Sequence, residues 1–217
     1  MPVTLILVPT PFERGFLSES FLANAKACGA RIEECGFGPI VSGIRTANLI
    51  RDISPERAIL MGIAGALLPE LGIGQAREFS EAVCYGIGAG TGSGFVTAQK
   101  LGWAQWQGSK SEESLSDTIR FGDRGKKNAN ELSGPLQLLT CCAASACQED
   151  VRMRRDAFPE AMAEDMEGYS VAVACHFAAI PLRVVRGISN LAGDRDKSRW
   201  RVRDAMASLE QVVLSAL

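Results

Sequence analysis

The chain has 217 residues, of which 47% are hydrophobic and 22% charged, and its formal net charge is −2. This size and composition fit one globular domain, and the charge balance argues against nucleic acid or an anionic membrane as a partner. A single histidine and cysteines without Cys-x-x-Cys spacing argue against histidine triads and zinc sites, so no metal or organic cofactor is expected.

The first residues, Met1 and Pro2, are followed directly by a short apolar run with no basic segment before it. That run is too short for a signal peptide or a membrane span, so a cytoplasmic location is the default expectation. The seven cysteines are then expected to be reduced and mostly buried.

Strand-like and helix-like segments alternate along the chain. In chain order they are a strand (3–8), a helix (12–28), a strand (31–35), a helix (40–51), strands (57–61, 76–85 and 136–141), a helix (148–158), a strand (161–166), a helix (167–178), a strand (182–188) and a helix (198–217). This alternation predicts an α/β fold, with a single domain over residues 1–217 and a three-layer α/β/α arrangement around a mixed, mostly parallel sheet. A polar stretch around residues 108–134 is predicted to be an exposed insertion.

Glycine-rich segments raise the possibility of a nucleotide-binding loop. Residues 86–94 carry glycine at five alternate positions, but they satisfy neither G-x-G-x-x-G nor a Walker A pattern. The glycines are therefore interpreted as a flexible connection between two strands, or as a loop that helps to close a pocket.

Carboxylate and amide side chains follow three of the predicted strands. Glu13 comes after the first strand, Glu167 stands where a strand runs into a helix, and Asn190 and Asp194 follow the last strand. Each position also has a structural explanation, because carboxylates favour helix starts and Asn and Asp form turns. Ligands of α/β folds bind at the carboxyl ends of strands, so together these residues indicate a functional site.

Four motifs in order along the chain resemble a known superfamily. They are GFGP at residues 36–39, MGIAGA at 61–66, Met166-Glu167, and VVRGISN at 184–190. The set resembles the purine nucleoside phosphorylases and the 5′-methylthioadenosine/S-adenosylhomocysteine nucleosidases. The resemblance runs from residue 3 to about residue 200 and implies a nucleoside phosphorylase-like fold.

The resemblance also implies roles for individual residues. Glu13 stands where the superfamily has its water-activating glutamate, Glu167 where it binds the ribose, and Asn190 where it contacts the purine. The implied substrate-binding positions are Ile63, Ala64, Gly65, Ser145 and Met166.

Two departures point to a branch of the superfamily. Adenosine-type nucleosidases carry aspartate where this chain has Asn190, and residues 190–200 look like the corresponding segment of the futalosine hydrolases. Phosphorylases usually have an arginine before the glycine motif, whereas residues 59–62 are apolar here, which favours water over phosphate as the nucleophile. The aromatic residue that stacks on the base in adenosine-type relatives is replaced by Ala144.

The resemblance implies hydrolysis of the N-ribosidic bond of futalosine to hypoxanthine and dehypoxanthine futalosine, a step of menaquinone biosynthesis. It also implies a homodimer or larger homo-oligomer that acts on a small-molecule nucleoside. Three alternatives stay open: a purine nucleoside phosphorylase, an adenosine-type nucleosidase, and a non-catalytic nucleoside-binding protein. The presence of both Glu13 and Glu167 argues against the last, because a binding protein needs no water-activating carboxylate.

Overall fold

The structure, a computed structural model, describes residues 3–108, 114–121 and 136–217. The strands of these residues are β1 (Thr4–Val8), β2 (Ala30–Glu34), β3 (Arg57–Ala66), β4 (Ala76–Phe79), β5 (Glu81–Cys84), β6 (Gly88–Ala89), β7 (Val96–Thr97), β8 (Thr118–Arg120), β9 (Gln137–Thr140), β10 (Ala161–Asp165) and β11 (Leu182–Leu191). The helices are α1 (Pro11–Arg14), α2 (Glu19–Ala27), α3 (Pro39–Ile53), α4 (Gln148–Ala157), α5 (Gly168–Phe177) and α6 (Val202–Leu214). None of these helices has the length and apolar character that a membrane span requires.

Nine of the described strands form one mixed sheet. Its order is β2-β1-β3-β10-β9-β5-β8, and β11 pairs with both β3 and β4. Five of these pairings are parallel and three, β3–β10, β4–β11 and β5–β8, are antiparallel. The predicted α/β class with a mixed, mostly parallel sheet is therefore confirmed.

Helices cover both faces of the sheet because its central strands are apolar on both sides. Along β1, Leu5 and Leu7 belong to a core cluster that includes residues of α3 and α5. The alternate residues Ile6 and Val8 belong to a second cluster with residues of α2 and α6. Successive side chains of a strand point to opposite faces, so this alternation produces the three predicted layers.

The single helix predicted over residues 12–28 is wrong. The segment forms two helices, α1 and α2, separated by a turn in which Gly15 caps the end of α1. Ser18 then begins α2, because its hydroxyl accepts a hydrogen bond from the backbone N–H of Phe21. The apolar spacing of the segment was compatible with one helix, whereas the two caps divide it.

The strand predicted over residues 57–61 continues through the glycine motif at residues 61–66. β3 runs through it to Ala66, and β11 follows it in parallel register as far as Leu191. Glycine weakens isolated strands, but here the pairing with β11 keeps the backbone extended through the motif.

The predicted insertion around residues 108–134 lies largely outside the described residues. The part that is described, residues 114–121, includes β8, which pairs with β5 at the end of the sheet. Leu115, Asp117 and Ile119 are buried, so this part is not an exposed loop.

Candidate active site

The candidate site occupies a gap on one edge of β3. β11 pairs along one edge of this strand, from Ala58 to Ala66. On the other edge, β1 pairs only as far as Leu60 and β10 begins its antiparallel pairing at Gly65. The carboxyl ends of β1 and β10 therefore face each other across residues 61–64 of β3, where the backbone is open to a ligand or a side chain.

Glu13 fills part of this gap. Its Oε1 accepts a hydrogen bond from the backbone N–H of Ile63 (2.9 Å), and its Oε2 accepts one from the Thr10 hydroxyl (2.6 Å). Thr10 also caps α1, so the helix start and the carboxylate are fixed together. The side chain is 5% exposed, and each oxygen retains a lone pair for a further donor such as water.

Glu167 reaches the same region from the start of α5. Its Oε1 accepts a hydrogen bond from the backbone N–H of Gly38 (3.1 Å), in the turn before α3. Its Oε2 accepts one from Arg186 (3.3 Å) on β11. Gly38 has φ +79°, a conformation that favours glycine, so the GFGP turn positions a backbone donor for this carboxylate.

Arg186 is the central cation of the site. It is fully buried and forms ion pairs with Asp165 at the end of β10 and with Glu167. The resemblance implied no role for it. A charged residue inside the apolar run of residues 182–188 was the available signal, because an unpaired charge is almost never buried.

Gly62 allows the guanidinium and Glu13 to approach each other. A Cβ at this position would overlap both Arg186 Nη1 and Glu13 Oε1, which lies 2.6 Å from it. These two atoms are therefore within about 5 Å of each other. Glu13 and Glu167, 154 positions apart in the sequence, thus converge on one guanidinium.

The two glutamates beside this buried cation have perturbed acidity. Burial raises the pKa of Glu13 above its ordinary value, although Arg186 opposes this shift. Burial also raises the pKa of Glu167 to about 7, again opposed by Arg186 and reinforced by Asp165. Perturbed carboxyl groups of this kind are typical of catalytic sites, and a raised pKa makes Glu13 a stronger base once it is ionised.

Asn190 lies four residues after Arg186 on the same strand. Its side-chain oxygen accepts a hydrogen bond from Ser189 Oγ (2.7 Å), and its Nδ2 donates to the carbonyl of Leu191 (2.7 Å). The residue is 8% exposed. Nδ2 carries two N–H donors, and one of them is used by Leu191.

The predicted substrate-binding residues divide into two groups. Ile63, Ala64 and Gly65 lie on β3 beside the gap, and Met166 is half-buried between Asp165 and Glu167. Their contact with a substrate stays a prediction.

Ser145 is placed differently. It is 1% exposed, and both its backbone N–H and its hydroxyl donate to Glu164. In this structure Ser145 is an internal anchor of its loop, and its two donors are not directed to a ligand.

Within the described residues, no group of three or more His, Cys, Asp or Glu side chains is arranged to hold a metal ion. The carboxylates of the site are instead bound to backbone amides, hydroxyls and Arg186.

Comparisons with known proteins fit this geometry. Residues 112–217 match the model of the phosphorylase superfamily. A futalosine hydrolase of Streptomyces coelicolor is 28% identical over 160 residues, which are 73% of this chain and 63% of that protein. A 5′-methylthioadenosine/S-adenosylhomocysteine nucleosidase of Staphylococcus haemolyticus is 30% identical over 167 residues, covering 76% of this chain and 69% of that protein. The chain belongs to the phosphorylase superfamily.

The solved structures extend the match to the whole fold. The native structure of futalosine hydrolase from Helicobacter pylori superposes with a TM-score of 0.74 at 17% identity, covering 99% of this chain and 97% of that one. The predicted resemblance to this superfamily is confirmed. The relative that is 30% identical, and of which this chain covers 69%, is a nucleosidase, so this chain belongs with the nucleosidases of the phosphorylase superfamily.

Proposed function

We propose that this protein hydrolyses the N-ribosidic bond of futalosine, releasing hypoxanthine and leaving dehypoxanthine futalosine for menaquinone biosynthesis. The observation that carries the proposal is the convergence of Glu13 and Glu167 on Arg186 in the gap of β3. The similarity to a futalosine hydrolase supports the choice of substrate.

In the proposed reaction, Glu13 is the general base. Its carboxylate is oriented by Thr10 and Ile63, and it removes a proton from the water that attacks C1′ of the ribose. Glu167 holds the ribose hydroxyls, and its charge stabilises the positive charge that develops on the sugar. Met166, next to it in the sequence, offers a polarizable apolar surface to the sugar.

Water is favoured over phosphate as the nucleophile. A phosphate needs an available cation, and residues 59–61 of β3 are apolar and buried. Arg186 is the cation of the site, but it is fully buried and is already paired with Asp165 and Glu167. Its charge is therefore neutralised by the protein itself.

Asn190 suits a 6-oxopurine as the leaving group. A 6-oxopurine presents hydrogen-bond acceptors at both the 6-position and N7, and the side-chain amide still has one N–H donor to offer. Asn190 would stabilise the departing base by hydrogen bonding, and the proton on the base would come from water.

A side-by-side assay of three substrates tests the identity of the substrate and of the nucleophile together. The purified protein is incubated with futalosine, inosine and 5′-methylthioadenosine, each with and without phosphate, and the released base is quantified by chromatography. We expect hypoxanthine from futalosine at a rate independent of phosphate. Faster release of adenine from methylthioadenosine would favour the adenosine-type alternative, which the 30% identical relative supports. A strict need for phosphate would establish a phosphorylase, and binding without turnover would establish a binding protein.

The two glutamates are tested by amide variants. Glu13→Gln and Glu167→Gln should each lower kcat/KM by about 10²–10⁴. Glu19→Gln is the matched control, because Glu19 is an exposed glutamate on the neighbouring helix α2. Equal activity of all three variants would contradict the proposed mechanism.

We also propose a homodimer or larger oligomer. An apolar surface surrounds the GFGP turn and the start of α1 and α3; its residues are Phe12, Phe37, Ile40, Val41 and Ile44, each 53–75% exposed. Several large exposed apolar side chains near one another in the sequence indicate an interaction site. Phe12 adjoins Glu13 and Phe37 adjoins Gly38, so a second copy on this surface would lie next to the active site. Sedimentation equilibrium of the wild type and of Ile40→Glu measures the oligomeric state. A monomeric wild type would refute the proposed oligomer.

A further inference from the structure

A second buried ion pair lies on the other face of β10. Glu164 and Asp165 are neighbours on this strand, so their side chains point to opposite faces of the sheet. Asp165 pairs with Arg186, whereas Glu164 pairs with Arg154 of α4 (2.9 Å). Arg154 and Glu164 are only 6% and 5% exposed.

This pair is bonded to the loop that connects β9 to α4, residues 141–147, which we call the β9–α4 loop. Glu164 accepts hydrogen bonds from the Ser145 backbone N–H (2.7 Å) and from the Ser145 hydroxyl (2.6 Å). Arg154 donates to the Ala143 carbonyl (2.6 Å). Two backbone positions of the loop are thereby fixed to β10 and α4.

The β9–α4 loop packs against the chain that follows Asn190. Gln148, the first residue after the loop, donates to the Ala192 carbonyl (3.4 Å). A Cβ on Gly193 would lie 2.8 Å from the carbonyl oxygen of Cys147, so only glycine permits this approach without a shift. Because Gly65 is opposite Glu164 on one edge of β3 and opposite Asn190 on the other, the anchor of the loop and Asn190 flank the same residue of the sheet.

The energetics of this pair favour a role other than stability. Replacing a buried ion pair by apolar residues of similar volume is often neutral or stabilising. The pair instead supplies fixed hydrogen bonds to a loop that would have little regular structure of its own, since the described residues 141–147 belong to no helix or strand.

We propose that Arg154 and Glu164 are positioning residues, which hold the β9–α4 loop as the wall of the purine site opposite Asn190 and so set the preference for the base. The inference rests on the proposed function, because it assumes that a purine leaves from the Asn190 side. Neither residue contacts the reacting atoms. Their effect is on the affinity for the purine and on the choice between 6-oxo and 6-amino bases.

The decisive variant replaces both charges by apolar side chains, Arg154→Met with Glu164→Met. Binding of free hypoxanthine and of free adenine is measured by calorimetry, kcat and KM are measured with futalosine, and Tm is measured by thermal unfolding. We expect Tm close to that of the wild type, a Kd for hypoxanthine raised about 10- to 100-fold, and a reduced hypoxanthine-to-adenine preference. Because the carboxylates beside Arg186 are untouched, the rise in KM should exceed the fall in kcat.

Arg152→Met is the matched control, since Arg152 is exposed on the same helix and pairs with Glu149 at the surface. If the double variant does not fold, the single variant Arg154→Lys tests the positioning role. A lysine retains the pair with Glu164 but loses the fork that reaches Ala143, so hypoxanthine binding should weaken by an intermediate factor.

The failures of the two proposals are distinguishable. A wild type that neither binds hypoxanthine nor releases a purine refutes the proposed function. An active wild type whose folded double variant keeps the hypoxanthine affinity and base preference refutes only the positioning role.

Discussion

Replacement of Arg186 by methionine tests whether this cation compensates the carboxyl groups of the site. The side chain is fully buried among Asp165, Glu167 and Glu13, so its removal leaves three carboxyl groups without their shared cation. Breaking a buried ion pair by removing one partner typically costs 3–5 kcal/mol. We therefore expect Arg186→Met to lower the free energy of unfolding by about 3–5 kcal/mol at pH 8.

The loss of unfolding free energy in Arg186→Met should be smaller at low pH. Arg186 lowers the pKa of both Glu13 and Glu167, so both values rise further in the variant. Carboxyl groups with raised pKa hold protons in the folded state that the unfolded chain has released, and stability then falls as pH rises. Lowering the pH protonates these groups in the folded variant, so less uncompensated charge remains at pH 5 than at pH 8.

Urea unfolding at pH 5, 6, 7 and 8, with linear extrapolation to water, measures this difference. Arg183→Met is the matched control, because Arg183 lies on the same strand but pairs with Glu78 at a site where its side chain is 36% exposed. That control should cost about 0–1 kcal/mol at every pH. The assignment of Arg186 as the shared cation is wrong if Arg186→Met lowers the free energy of unfolding equally at pH 5 and pH 8. It is also wrong if the variant loses no more stability than the control.

Two further predictions concern base preference and pH. Asn190→Asp should raise the ratio of 6-amino to 6-oxo nucleoside cleavage at least about tenfold. The reason is that a carboxyl oxygen accepts a hydrogen bond from a 6-amino group, whereas the amide N–H that it replaces donates to a 6-oxo group. An unchanged ratio of kcat/KM values would refute the assignment. Since the folded-state pKa of Glu167 is raised from 4.5 to about 7, the wild type should lose up to about 3 kcal/mol of stability between pH 4.5 and pH 7. Glu167→Gln should remove that dependence, and parallel pH profiles of the two proteins in urea titrations would contradict it.

The sequence indicated the two glutamates because each follows a predicted strand and stands where the resemblance implies a functional glutamate. Their positions depend on local features: Thr10 starts a helix, and Glu167 joins a strand directly to a helix. The α/β class was predictable for the same reason, since it depends on alternating patterns along the chain.

The cation of the site could not be assigned in the same way. Arg186 is neutralised by Asp165, which precedes it by 21 positions, and no local pattern predicts that contact. The burial of Arg154 could not be predicted either. Arg154 stands in the charged segment RMRR, which is typical of an exposed helix face. Buried ion pairs are formed by tertiary packing, so the sequence shows their members without showing their partners.

The gap in β3 was also unpredictable. The predicted strand ended at residue 61, but residues 61–64 remain extended and lack a neighbouring strand on one edge only because β1 and β10 end there. That arrangement depends on the order of strands in the sheet, which the pattern of one chain does not specify.

The placement of Arg186 and Asn190 on one strand limits how this enzyme can change. The register of β11 against β3 shifts between Ile188 and Asn190, so Arg186 lies opposite Gly62 and Asn190 lies opposite Gly65. Three residues of extended strand span about 10 Å, so this register sets the spacing between the charged end of the site and the end proposed to bind the purine. Inserting or deleting one residue between Arg186 and Asn190 would change the register and displace the two ends of the site relative to each other. Substitutions at residues 189–191 preserve that spacing, so under the proposed function this short segment is where the base preference can change while the charged cluster around Arg186 stays intact.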